Sequence, residues 1–186
     1  FCSSEYCVVF YRDILSEVKV YVKKQGAYFV PDNEVEKLSE AVIDPNRHTV
    51  RGPVAGQTAE KIAELAGIKV PAGTKLLIGK LDGIGVNFPL SGEKLSPVLS
   101  MYVASSQEAA FSICLGLLNY GGLGHTAVLH TQDNNVVDKF GAQMPACRIL
   151  INQPGSLGGI GGLFNGLTPS LTLGTGTYGK NSISHN

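Results

Sequence analysis

The chain has no tryptophan, only two methionines and four cysteines in 186 residues, and no excess of either charge, since fifteen Lys and Arg stand against fifteen Asp and Glu. That balance leaves no net field to draw it to nucleic acid or to an anionic membrane surface, so the expected partners are small molecules or protein. Cys2, Cys7, Cys114 and Cys147 form no Cys-x-x-Cys pair and are too sparse for a disulfide framework. This suits a reducing compartment and makes the cytoplasm the expected location. No His or Cys cluster has zinc-like spacing, so no metal is expected. Charge is missing from Ala109 to Gln132, yet Asn119, Gly121, Gly122, Gly124 and His125 interrupt that run. A buried helix followed by a buried strand accounts for it better than a membrane span. A second uncharged stretch, Ile149 to Gly179, is rich in Gly, Ser, Thr and Pro. It reads as an ordered or site-lining segment, because a disordered tail is normally more polar.

What is present is an ordinary globular composition, 44% hydrophobic and 16% charged, with enough length for one real core. Strands are expected at Tyr6 to Tyr11, Lys75 to Lys80, Val98 to Val103, Thr126 to His130 and Arg148 to Ile151. Helices are expected over residues 12 to 25, from Asp32 or Asn33 to about Ile43, and at Gln57 to Ala66, Gln107 to Leu118 and Asn134 to Gln143. Alternation of this kind predicts an α/β fold, a three-layer domain with a mostly parallel sheet and helices on both faces. Residues 1 to 153 are taken as that domain and 154 to 186 as its glycine-rich, site-lining extension.

Four places carry possible chemistry. Cys2, in Phe1-Cys-Ser-Ser-Glu5, is the one cysteine set among small polar residues where a loop enters a strand, and its thiolate is a candidate nucleophile. Cys7, Cys114 and Cys147 read as filler. His125 follows Gly121-Gly-Leu-Gly124, whose glycines let the backbone turn tightly and lift a side chain to a strand mouth; it is either a general base or a histidine satisfied by a backbone bond. Glu93, in Glu93-Lys-Leu-Ser-Pro97, is either an acceptor for a sugar diol or a solvated loop residue. Gly174 to Gly179 spells G-x-G-x-x-G, but no following helix or acidic ribose partner remains before Asn186, so a dinucleotide fingerprint is rejected.

Taken in order, seven segments resemble the CoA-acylating aldehyde dehydrogenases, above all the aldehyde dehydrogenase half of bifunctional aldehyde-alcohol dehydrogenases. They are Phe1 to Glu5, Gln57 to Gly67, Glu93 to Pro97, Gly121 to Thr126, Arg148 to Asn152, Gly158 to Gly161 and Pro169 to Gly174. The resemblance implies the Rossmann-like catalytic lobe of that fold, with NAD as cofactor and coenzyme A as co-substrate. It implies Cys2 as the thiol that attacks the aldehyde, His125 as base or proton shuttle, and Glu93 with Leu95 as cofactor contacts. It also implies a short aliphatic aldehyde or acyl-CoA as substrate, a homo-oligomeric parent, and a cofactor-binding half outside this sequence. A CoA-independent dehydrogenase and a non-catalytic assembly piece are the alternatives.

Overall fold

The structure is a computed structural model and describes residues 4–162 and 165–169. Five apolar residues form β1 (Cys7–Tyr11), and a single turn leads to helix α1 (Leu15–Lys24). Gly26, at φ 97°, reverses the chain after α1 as the sequence requires of a helix stop, and a short strand β2 (Ala27–Phe29) follows. Helix α2 (Val35–Val42) comes after a 3-10 turn at Asp32–Glu34 and runs directly into a small hairpin, β3 (Ile43–Asp44) with β4 (Thr49–Val50). The expected Asp32 or Asn33 cap makes no side-chain bond there, while the helix ends at Ile43 as expected, where its C-cap residue also opens β3. Helix α3 (Ala59–Leu65) is capped by Thr58, whose Oγ1 accepts the Lys61 N–H at 3.2 Å.

Strands β5 (Leu76–Lys80) and β6 (Val98–Ala104) complete a four-stranded, wholly parallel sheet in the order β1-β6-β5-β2. Two strands expected from the sequence, β7 (Thr126–Leu129) and β8 (Arg148–Ile151), pair in parallel in a second sheet. Helices α4 (Gln107–Leu117) and α5 (Asn134–Gln143) fall where periodicity puts them, and a four-residue helix α6 (Gly155–Gly158) opens the glycine-rich segment. The α/β class with a mainly parallel sheet therefore holds, with one antiparallel hairpin added.

Two compact units result: one spans Tyr6–Ile113, and the other runs from Cys114 and takes in Ser4 and Glu5. In the first, Leu38 and Val42 of α2, Ile62 of α3, Leu77 and Ile78 of β5 and Val98 and Met101 of β6 are buried. In the second, Leu117, Leu118, Phe140, Met144 and Leu150 are.

Candidate active site

In the first unit the turn before β6 carries Glu93 and Leu95. A 3-10 turn, Pro89–Ser91, leads in, and three bonds fix it. Ser91 Oγ accepts the Gly85 N–H at 3.0 Å, the Leu90 carbonyl accepts the Ser100 hydroxyl at 2.6 Å, and the Ser91 carbonyl accepts the Cys7 thiol at 3.6 Å. Glu93 itself is exposed. Leu95 is half-buried, holds a left-handed φ of 43°, and its carbonyl accepts the Gly56 N–H at 3.0 Å. A bulky residue in that region costs on the order of 1–3 kcal/mol and persists only where its surroundings demand it. Ser96 Oγ is buried and has no hydrogen-bond partner among the described residues.

Next to Glu93, Lys94 turns inward and is fully buried. Its ammonium donates to the carbonyls of Leu90 at 2.6 Å and Gly92 at 2.9 Å and lies 5.1 Å from the centre of the Tyr6 ring. Burial draws its pKa down to about 8, against the opposing pull of Cys7 and Glu93. Burial also pushes the Cys7 thiol and the Tyr6 phenol upward. Cys7 is thus a protonated, inert thiol, as its place in an apolar strand suggests.

In the second unit His125 stands at the mouth of β7, after Gly124 at φ 74°. Its amide donates to the Gly122 carbonyl at 2.9 Å. Its own carbonyl accepts three donors from the start of β8: the Cys147 N–H at 3.1 Å, the Arg148 N–H at 3.3 Å and the Cys147 thiol at 3.2 Å. The Arg148 guanidinium, itself buried, donates to Cys147 Sγ at 3.4 Å. Cys147 therefore has a part in holding the histidine backbone, which its sequence context does not disclose. Asn152 ends the strand at φ 54° and clamps Thr131, accepting its N–H at 3.0 Å and donating to its carbonyl at 2.8 Å.

Cys2 lies outside the described residues, as do residues 170 to 186 with the Gly174 to Gly179 string. Its motif is represented by Glu5, whose carboxylate accepts the Gly155 N–H at 2.6 Å and so ties the thiol's segment to the glycine-rich stretch. Glu93 and Leu95 precede β6, His125 precedes β7, and Cys2 precedes β1 in the sequence, so each candidate residue precedes a parallel strand. A cavity of about 570 Å³ lies instead beyond the carboxyl ends of β1 and β5, lined by Arg12, Lys80, Asp82 and Tyr102 among others, and none of the candidate residues lines it.

No family model matches the chain. The bifunctional aldehyde-alcohol dehydrogenase of Escherichia coli is 41% identical over 189 residues, an alignment that takes in 100% of this chain and 21% of that protein. Succinate-semialdehyde dehydrogenase (acetylating) of Clostridium kluyveri is 36% identical over 186 residues, 100% of this chain and 40% of the relative. The chain is a homologue of the acylating aldehyde dehydrogenases. Its structure agrees with one of them: the acetylating aldehyde dehydrogenase of Geobacillus thermoglucosidasius superposes with a TM-score of 0.91 at 36% identity, over 97% of this chain and 39% of that one. The chain thus spans about a fifth of the bifunctional relatives and two fifths of the acylating dehydrogenases it matches.

Proposed function

We propose that this chain is the catalytic lobe of an NAD-dependent, CoA-acylating aldehyde dehydrogenase acting on short aliphatic aldehydes, with residues 1 to 153 as its α/β domain and 154 to 186 lining its site. The observation that carries the reading is homology over the full chain, with Phe1-Cys-Ser-Ser-Glu5 included in the aligned span. Cys2 attacks the aldehyde carbon, forming a carbon–sulfur bond and a thiohemiacetal, while its backbone N–H stabilises the developing oxyanion. His125 accepts the proton, and the tie of its carbonyl to Cys147 and Arg148 fixes where its ring begins. NAD, which Glu93 and Leu95 would hold, would supply the two-electron acceptor for oxidation of the Cys2 thiohemiacetal to the thioester. The thiol of coenzyme A then displaces Cys2, giving acyl-CoA and the free enzyme thiol; the sequence runs in reverse for reduction of an acyl-CoA.

The first unit suits the cofactor. Glu93 is an exposed, acceptor-only carboxylate on a pinned turn, able to take both hydroxyls of a ribose diol, and the buried Ser96 hydroxyl lacks a partner among the described residues. Leu95 offers the adjoining apolar contact. An uncharged wall from 155 to 179 would hold water off the thioester while admitting a second thiol. We place the protein in the cytoplasm as a homo-oligomer. No disulfide links Cys7, Cys114 and Cys147, and α1 leaves Val20 and Tyr21 exposed.

The test is an assay of the whole protein carrying this chain with acetaldehyde, NAD and CoA, beside Cys2→Ala. NADH formation that needs CoA and vanishes in the variant is the expected result. Turnover indifferent to CoA, with free acid as product, would move the protein to the hydrolysing dehydrogenases; turnover indifferent to Cys2 would remove the mechanism.

A further inference from the structure

We propose that Lys94 is a positioning residue for cofactor binding, holding from inside the protein the turn on which Glu93 is presented. The inference rests on the reading of Glu93 as the ribose contact. Lysine is almost never fully buried without a partner, and here the partners are the carbonyls of Leu90 and Gly92, two to four residues away along the same turn. An apolar side chain of similar length would fill this space without the cost of burying a charge, so the ammonium is not there for packing. What it adds is geometry. The Leu90 carbonyl that it grips is shared with the Ser100 hydroxyl of β6, and the Tyr6 ring under it belongs to the segment leading from Cys2 into β1. Lys94 therefore joins the turn at one point to the inner strand β6 and to the residue that enters the outer strand β1. Glu93 is flanked by that buried anchor and by Leu95, locked at positive φ with its carbonyl bound to Gly56. An exposed carboxylate between two fixed neighbours is preorganised to accept a diol.

The ammonium is a charged donor only while protonated, and its lowered pKa, about 8, puts its loss within reach of ordinary buffers. The groups facing it are Tyr6 and Cys7 at the start of β1, Tyr102 of β6 beyond them, and Glu93 beside it. Tyr6, Cys7 and Tyr102 are all pushed upward, chiefly by burial, and so stay protonated in the window where Lys94 titrates.

The experiment is a fluorescence titration of the whole protein with NADH, with NADPH alongside, for wild type, Lys94→Met, Lys94→Arg and Glu93→Gln. Amide deuterium uptake over residues 89 to 96 and the rate of Cys2 alkylation by iodoacetamide are read on the same samples. Lys94→Met is expected to raise the dinucleotide Kd about tenfold, the scale of a lost charge-assisted bond, and to speed exchange across the turn. Cys2 alkylation stays at the wild-type rate. The wild-type Kd rises between about pH 7 and pH 9, where Lys94 loses its proton, and that of Lys94→Met does not. Lys94→Met binding NADH as tightly as wild type, while Glu93→Gln binds it weakly, would overturn the positioning role alone. Glu93→Gln binding normally would overturn the ribose reading beneath it. Should Lys94→Met not fold, the wild-type and Lys94→Arg titrations decide: a wild-type Kd that rises from pH 7 to 9 while that of Lys94→Arg, whose charge persists, does not is the expected result, and a wild-type Kd unchanged over that range counts against the proposal.

Discussion

Lys94 shows how one residue can serve the site at the expense of the fold. In the unfolded chain its ammonium has the ordinary lysine pKa near 10.5, and in the folded protein burial lowers this to about 8. Between those values the unfolded state binds more protons, so the free energy of unfolding climbs with pH across that window; below about pH 8 both states are protonated and the burial cost is constant. The gain is roughly 3 kcal/mol at full titration. Denaturant unfolding of the whole protein from pH 7.5 to 10 should show this rise in wild type relative to Lys94→Met, whose curve carries only the background of tyrosine and cysteine titration. Parallel curves would mean that the ammonium is better solvated than its burial indicates. The pattern of the sequence could not disclose any of this. In Glu93-Lys-Leu-Ser-Pro97 only Glu93 stands out, as a diol acceptor or a solvated residue, and nothing local says that one charged side chain faces out and its neighbour in. Cys147 escapes for the same reason: a cysteine ahead of an apolar strand looks like filler until its thiol is found on the His125 carbonyl.

Among the elements, those with length and period were legible. The helices at 15–24, 59–65, 107–117 and 134–143 and the strands β1, β5, β6, β7 and β8 lie where apolar spacing puts them. Strand β2 and the β3–β4 hairpin were not, because two or three residues are too few to show alternation and owe their form to a neighbouring strand. The position of the candidate site was legible only through motifs. In open α/β sheets the carboxyl ends of strands are the usual place for ligands, and here the candidate residues precede their strands. The two glycine motifs also differ once their surroundings are known. A Cβ at Gly161, which sits at φ 85°, would meet the carbonyl oxygens of Leu167 and Thr168 at 2.8 Å, and backbone cannot swing aside. Gly121 has nothing within 4 Å of its Cβ position. Gly161→Ala is accordingly expected to cost about 2–3 kcal/mol and Gly121→Ala less than about 0.5, as read by shifts in unfolding midpoint. Equal shifts would mean that the backbone around Gly161 gives way.

For the whole molecule, the order β1-β6-β5-β2 has a mechanical consequence. The exposed turn at residues 45 to 48 divides the first unit so that the earlier piece carries both outer strands and the later piece both inner ones. Each outer strand is bonded only to a strand of the other piece. A single proteolytic nick at Arg47 would therefore leave two polypeptides interlaced, since parting them means stripping both edges of a sheet at once. Nicked protein should migrate with intact protein under native conditions and come apart only in detergent; separation on a native gel would refute the expectation. Continuity of the chain at that turn is then dispensable for shape, and the lobe behaves as a clasp that stays shut after its thread is cut.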